Sequence, residues 1–297
     1  MNSFIMIGLT DTGVVRTENE DSIGTRPEAG LAVLADGMGG HQAGEVASKL
    51  AVDTIIKYLT DAYAADRKES LSKRISEAIR RANATIFDSA HQHEEYAGMG
   101  STIVTAMFRN GELVVGHVGD SRLYRYRNGK LEQLTEDHSV IQELVNRGLF
   151  TPEEARASIG KNLVTRALGV DAEVLVDVNA MPLEANDLYL LCSDGLNDVV
   201  PDDDIAQILA TQSANLYTAA FKLVTLANQR GGPDNVSVIL IRQEDSAINP
   251  EPENEKGKGK KSKKSDKPAG AAPGHNMTSE FSVNRHEKFI VDDGKNN

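Results

Sequence analysis

Cysteine is nearly missing from these 297 residues: Cys192 stands alone. No internal disulfide can form, and no site can be built on several thiolates, so any metal must be held by oxygen or nitrogen. A long apolar run is missing as well. The start, MNSFIMIGLTDTG, has no basic residue and only a short apolar stretch, which supports neither a signal peptide nor a membrane span and leads us to expect a cytoplasmic protein. Positive charge is in deficit, with 32 Lys and Arg against 44 Asp and Glu for a net charge of −12. Phosphate backbones attract cationic surfaces, so this balance argues against general affinity for nucleic acid or anionic membrane.

What is present is an ordinary globular composition, 40% apolar, enough for a sizeable core. The composition changes from Asn249 onward, where PEPENEKGKGKKSKKSDKPAGAAPG offers no core-forming residues. We expect a folded body over residues 1–245 and a disordered basic linker and tail over 246–297. Residues up to Asn249 hold 22 basic and 36 acidic side chains, a net −14, so an acidic body carries the basic stretch Lys256 to Lys267. A solvated spacer is the favoured reading of that stretch, with an electrostatic tether as the minor one.

Periodicity predicts the body. Val46, Leu50, Thr54, Ile55, Tyr58 and Leu59 mark one face of a helix over about Glu45 to Tyr63, and Leu71, Ile75, Ala78, Ile79, Ala82 and Ile86 mark a second. Strand-like runs follow at Thr102 to Phe108, Leu113 to Val118, Leu123 to Tyr126 and Leu131 to Leu134. Asn110-Gly111 and Asn128-Gly129 lie between them, the strongest short hairpin signal, so the sheets are antiparallel. After Asp137 the chain reads as short helices broken by Gly148 and Pro152, as a mobile flap would. Strands are expected again at Val174 to Val178, Leu188 to Cys192 and Val236 to Ile241, with helices at about Asp202 to Gln212 and Leu216 to Gln229.

Four aspartates share a setting. LAVLADGMGG leaves an apolar run at Asp36, LVVGHVGDSR at Asp120 and DLYLLCSDG at Asp194, while GGPDNVSVILI enters one at Asp234. Each could be a turn or cap residue. Together they suggest one end of a sheet core, where converging carboxylates must take up protons or share a cation. Hard oxygen ligands select Mg²⁺, Mn²⁺ or Ca²⁺ over zinc. A glycine after Asp36 would let a backbone carbonyl and solvent reach the ion.

The ordered segments RTENED (16–21), DGMGGH (36–41), GMGST (98–102), VGDSR (118–122), LTEDHS (134–139), TRALG (165–169), SDGL (193–196) and DNVS (234–237) give the chain a strong resemblance to the metal-dependent PPM, or type-2C, serine/threonine protein phosphatases, in their compact bacterial form. The resemblance spans about Ile7 to Ile241. It implies an α+β fold, a sandwich of two antiparallel sheets flanked by helix pairs in four αββα layers. It further implies a two-metal centre of Mn²⁺ or Mg²⁺ in which Asp36 bridges both ions, the Gly37 carbonyl binds one, and Asp194 with Asp234 completes the other. Glu20 and Asp21 resemble residues that hold metal-bound waters, Arg16 the phosphate-binding arginine, and Asp120 a ligand of a weaker third metal site.

The activity so implied is hydrolysis of phosphoserine and phosphothreonine on proteins through a metal-bridging hydroxide, reversing a cognate Ser/Thr kinase; we expect a monomer with no nucleic-acid partner and no membrane span. The general acid stays open: Met38 stands where animal relatives have histidine, and His41 is nearby. A cysteine-dependent phosphatase needs arginine six residues after its cysteine, where this chain has Asp198. No G-x-x-x-x-G-K loop or kinase signature occurs. His117 reads as a strand residue and His138 as part of a hydrogen-bonded flap base. A phosphatase-like sensing module without turnover is the alternative, set behind the enzyme because Asp36, Asp194 and Asp234 are all present.

Overall fold

A computed structural model of the chain describes residues 4–39, 43–64, 69–151, 154 and 163–244. The chain divides into the units Met1–Asn249 and Pro250–Asn297, and all of the second lies outside the described residues, as do the expected linker and tail from 246 onward.

Eleven strands form among the described residues, and all their pairings are antiparallel. The first sheet has the order β1-β11-β10-β7-β8, with β1 Phe4–Asp11, β7 Arg122–Arg127, β8 Lys130–Gln133, β10 Leu188–Cys192 and β11 Val236–Gln243. The second has the order β2-β3-β5-β6-β9, built from β2 Asp21–Arg26, β3 Leu31–Met38, β5 Ile103–Arg109, β6 Glu112–Val118 and β9 Asp177–Pro182, with β4 Gly100–Ser101 pairing to β3. Both Asn-Gly pairs turn hairpins: φ is 53° and 80° at Asn110 and Gly111, and 50° and 82° at Asn128 and Gly129. Two successive left-handed residues give the turn whose twist matches that of its strands.

Three apolar layers hold the sheets and helices together. Leu34, Val104, Ala106, Val115, Leu123, Leu191 and Ile239 fill the space between the two sheets. Alternate residues of the second sheet, Val33, Ala35, Ile103 and Val114, face α1 Ala43–Ala64 and α2 Leu71–Gln92 through Ile55, Leu59, Ile75 and Ile79. The outer face of the first sheet, with Leu190, Val238 and Leu240, packs on α5 Asp202–Gln212 and α6 Leu216–Gln229 through Leu209, Leu223 and Ala227. Period-two strands between period-3.6 helices therefore give four αββα layers. The short helices α3 Val140–Asn146 and α4 Asp194–Asn197 lie between strands in sequence.

Helix caps follow the sequence: Ser70 accepts from Lys73 N at 3.3 Å, and Asn215 from Thr218 N at 3.0 Å. Several elements depart from the reading of the sequence, the two-residue β4 and the short α4 among them. Strands β1 and β2 were not predicted, because β1 is only half-buried along its length and β2 (DSIGTR) has no apolar run. The strand expected at Val174 to Val178 begins at Asp177 and continues to Pro182; Val174 and Val176 still pack on the core, without a ladder. Of the expected flap, α3 and the bridge between Ser139 and Val164 are described, whereas residues 152–153 and 155–162 lie outside the description.

Candidate metal centre

Both sheets deliver carboxylates to one place. Asp21 opens β2 and stands directly across the ladder from Asp36 of β3. Asp120 follows β6 after Gly119, whose φ is +104°. From the first sheet come Asp194, at the start of α4 just after β10, and Asp234, two residues before β11. Asp36 interacts electrostatically with all four of the others, which brings the sequence-predicted aspartates into one cluster.

Asp36 is not a turn residue. It lies inside β3, where its N–H donates to Thr102 Oγ1 at 3.1 Å and its carbonyl accepts from Thr102 N at 2.8 Å and Ser101 Oγ at 2.9 Å. Asp234 does serve its own turn, since Oδ1 accepts from Asn235 N at 2.9 Å, but its Oδ2 accepts from Arg16 Nη2 at 2.7 Å. The Gly37 N–H donates to the Glu20 carbonyl at 3.1 Å. A Cβ on Gly37 would lie 2.6 Å from that carbonyl oxygen and run into the Gly44 carbonyl, and one on Gly44 would lie 2.5 Å from Glu20 Oε1. Close packing of α1 and the Glu20 segment against β3 thus accounts for both glycines, a reason that the sequence did not reveal. Gly40 and His41 lie outside the described residues.

Electrostatics make the cluster unfavourable as a set of bare anions. Burial, and then Asp21, Asp194, Asp120 and Asp234, push the Asp36 carboxyl well above the usual range. Asp194 is raised well above it too, by burial and then by Asp120 and Asp198. Burial lifts Asp120 to about 7, helped by Asp137 and Asp198. Asp21 rises to about 6 because it is buried, although hydrogen bonds from Ser237 and Ser193 work the other way. Glu20 is raised by burial, against the nearby Arg16 charge.

Two oxygens, Asp21 Oδ1 and Asp194 Oδ1, are buried without a hydrogen-bond partner. Leaving a buried carboxylate oxygen unpaired costs on the order of 1–3 kcal/mol or more. A cation would supply what both lack. The donors are all carboxylate oxygens, which suits a hard divalent ion.

Residues beside the aspartates, to which sequence reasoning gave no role, hold the site together. Ser193 Oγ, one residue past β10 of the first sheet, donates to Asp21 Oδ2 in the second at 2.8 Å and accepts from Ser237 N at 2.9 Å. The Asn235 side chain accepts from Glu20 N at 2.8 Å and donates to the carbonyls of Thr12 and Glu18, each at 2.9 Å. Thr102 Oγ1 also meets Ser121 Oγ at 2.7 Å. The signal available in the sequence was a short polar residue next to four of the five acids, Asp21, Asp120, Asp194 and Asp234. Its partners are far away along the chain and could not be read.

A second cluster lies at the base of the flap. Single ligand atoms of His117, His138 and Asp177 fall within 4.8 Å of one another. Arg166 donates to Asp177 Oδ1 at 3.1 Å, however, and its Nη1 is 3.2 Å from His138 Nε2. His138 Nδ1 accepts from Gly119 N at 3.1 Å, while His117 Nε2 meets the Glu136 carbonyl at 2.9 Å. A guanidinium already neutralises the carboxylate, so the cluster reads as the hydrogen-bonded flap base expected for His138.

The fold is a four-layer αββα sandwich, and its two sheets bring together five carboxylates of the kind that suits a divalent cation. The family model described as Protein phosphatase 2C matches residues 14–226. The serine/threonine phosphatase stp of Listeria monocytogenes is 37% identical over 238 residues, covering 79% of this chain and 94% of the relative. PstP of Mycobacterium tuberculosis is 40% identical over 231 residues, 78% of this chain and 43% of that longer protein. The crystal structure of M. tuberculosis PstP superposes with a TM-score of 0.74 at 38% identity, covering 82% of this chain and all of that one. A structure of the PstP catalytic domain, in complex with two manganese ions, gives a TM-score of 0.74 at 37% identity and the same coverage. The chain belongs to the protein phosphatase 2C family, and its activity is that of a protein phosphatase.

Proposed function

We propose that this protein hydrolyses phosphoserine and phosphothreonine on other proteins with two Mn²⁺ or Mg²⁺ ions in its acid cluster. The carrying observation is the convergence of five carboxylates from both sheets, with Asp21 Oδ1 and Asp194 Oδ1 buried and unpaired, beside Arg16. Asp36, the Gly37 carbonyl, Asp194 and Asp234 would hold the two ions, Asp120 a weaker third, and Glu20 and Asp21 their water shell. When bound, such ions make water a better nucleophile and offset charge as the phosphoryl group transfers. The protein's own part is placement. Thr102 and Ser101 fix the Asp36 backbone, and Ser193 fixes Asp21 across the two sheets.

Arg16 would orient the phosphate, since its planar fork matches phosphate oxygens. Its side chain is 49% exposed and its Asp234 partner 36%. An ion pair so exposed contributes at most about 1 kcal/mol to stability, so the fold does not depend on it. Arg16→Ala is expected to remain folded and raise KM for a phosphothreonine peptide about tenfold or more, while Arg16→Lys recovers part of the loss. Steady-state kinetics with manganese titrations check this; an unchanged KM in Arg16→Ala would return the arginine to a surface role.

A protein Ser/Thr kinase is the proposed opposing partner, with the phosphatase acting as a cytoplasmic monomer. Among the described residues no helix is long and apolar enough to cross a membrane. The catalytic body is assigned to 1–245 and the linker and tail to 246–297, on composition. The direct test is hydrolysis of an aryl phosphate and a phosphothreonine peptide with and without Mn²⁺. Turnover of both, only with metal, is expected; binding of the phosphopeptide without turnover would replace the enzyme by a sensing module.

A further inference from the structure

The loop from Thr12 to Asn19, which carries Arg16, is fastened along its length. Asn235 closes both ends through the Thr12 and Glu18 carbonyls. In the middle, the Gly232 carbonyl accepts from the N–H groups of both Val14 and Val15, at 2.9 and 3.1 Å. Asp11 Oδ1 accepts from Gly13 N at 2.8 Å and from Asn228 Nδ2 at 2.9 Å. The fit is close: a Cβ on Gly232, where φ is +45°, would lie 2.8 Å from Val14 Cγ2 and from Val14 N.

On this fixed backbone Val14 and Val15 are 65% and 67% exposed, the most exposed large apolar side chains among the described residues. Single exposed aliphatics are ordinary. Two adjacent ones, held rigid immediately before the arginine assigned to phosphate, form a preorganised apolar surface that loses little freedom on binding.

Resting on the phosphatase reading and on the role given to Arg16, we propose that Val14 and Val15 contact an apolar residue flanking the phosphorylated serine or threonine, making them specificity-determining residues. The substrate class is phosphoproteins with an aliphatic or aromatic neighbour to the phosphoresidue. An extended peptide advances about 3.3–3.6 Å per residue, so side chains one and two residues from a phosphoresidue held at Arg16 are separated from it on the same scale as Val15 and Val14, which stand one and two residues before that arginine. Charge narrows the class, because Glu18 and Glu20 in the same segment repel acidic flanks. Only an apolar surface, though, separates leucine from serine.

The test uses two phosphothreonine peptides identical except for leucine or serine beside the phosphothreonine, assayed on the full chain with Mn²⁺. The wild-type protein is expected to favour the leucine peptide by about fivefold or more in kcat/KM, mainly through KM. In V14S/V15S the ratio is expected to fall to near one, and in the isosteric V14T/V15T to drop in the same direction. A ratio taken between two peptides on one preparation does not depend on how much of a variant is folded. Equal rates on the two peptides in the wild type, or a ratio that survives in V14S/V15S, would overturn the proposal. Absence of manganese-dependent turnover of an aryl phosphate by the wild type is a separate result, which overturns the phosphatase reading itself.

Discussion

Asp36→Asn is expected to lose at least about three orders of magnitude in turnover and, in chelator, to melt at a higher temperature than the wild type. The first effect follows from the position of Asp36 among four other carboxylates, each of which raises its proton affinity. Asparagine keeps the shape but removes the charge that would bind two cations, and about 4 kcal/mol of lost transition-state stabilisation is a thousandfold in rate. The second effect has the opposite sign because the metal-free cluster is self-repelling. Removing one charge should raise Tm by about 2–4 °C for each kcal/mol relieved in a domain of this size. The backbone anchors to Thr102 and Ser101 are untouched by the substitution. Kinetics and thermal melts on one preparation check both halves. Lower stability in chelator together with lost turnover would mean that Asp36 is structural and that the cluster is not a cation site.

Metal removal should abolish activity and also give stability an unusual pH dependence. The carboxyls of Asp21 and Asp120 are raised to about 6 and about 7, and those of Asp36 and Asp194 well above their ordinary value of 3.8. A group whose folded pKa exceeds its unfolded one holds a proton that the unfolded chain releases. Its stabilising contribution is complete below about pH 4 and is lost as pH rises through the folded value. His117 and His138 are lowered by burial and act in the other direction. Their contribution is complete once pH passes the unfolded histidine value of 6.5. From pH 6.5 to 8 the aspartates therefore dominate, and the chelated protein is expected to lose several degrees of Tm across that interval. Saturating Mn²⁺ should reverse the slope by stabilising the ionised cluster, and Asp36→Asn should flatten it. A Tm that is flat in chelator and unaffected by Mn²⁺ would show that the aspartates are not coupled through this site.

Local patterns were readable in the sequence and long-range ones were not. Helices α5 and α6 and strand β10 fall where periodicity puts them, because their apolar residues recur without interruption. The hairpins were legible from Asn110-Gly111 and Asn128-Gly129, since the turn needs two residues with positive φ. Strand β2 escaped because its sequence has no apolar run to mark it, and the strand around Asp177 was set early because Val174 and Val176 are buried without a ladder. The aspartates could be picked out by their place beside apolar runs and glycines. Their mutual support could not: Ser193 meets Asp21 across 172 residues and Arg16 meets Asp234 across 218. No spacing rule spans such distances.

The pairing of β1 with β11, which sets Phe4 opposite Gln243, also bears on the order in which the body can be completed. The chain leaves the ribosome N-terminus first, so the opening strand must wait for almost the entire body before its partner exists. Asp234 lies in the segment that leads into that partner, and Arg16 follows the strand that waits. Contacts of such separation are slow to form, and domains of this size pass through partly folded states. The ion pair between Arg16 and Asp234 therefore joins the two ends of the body, and neither partner can be set in place before nearly all of the chain between them has been made.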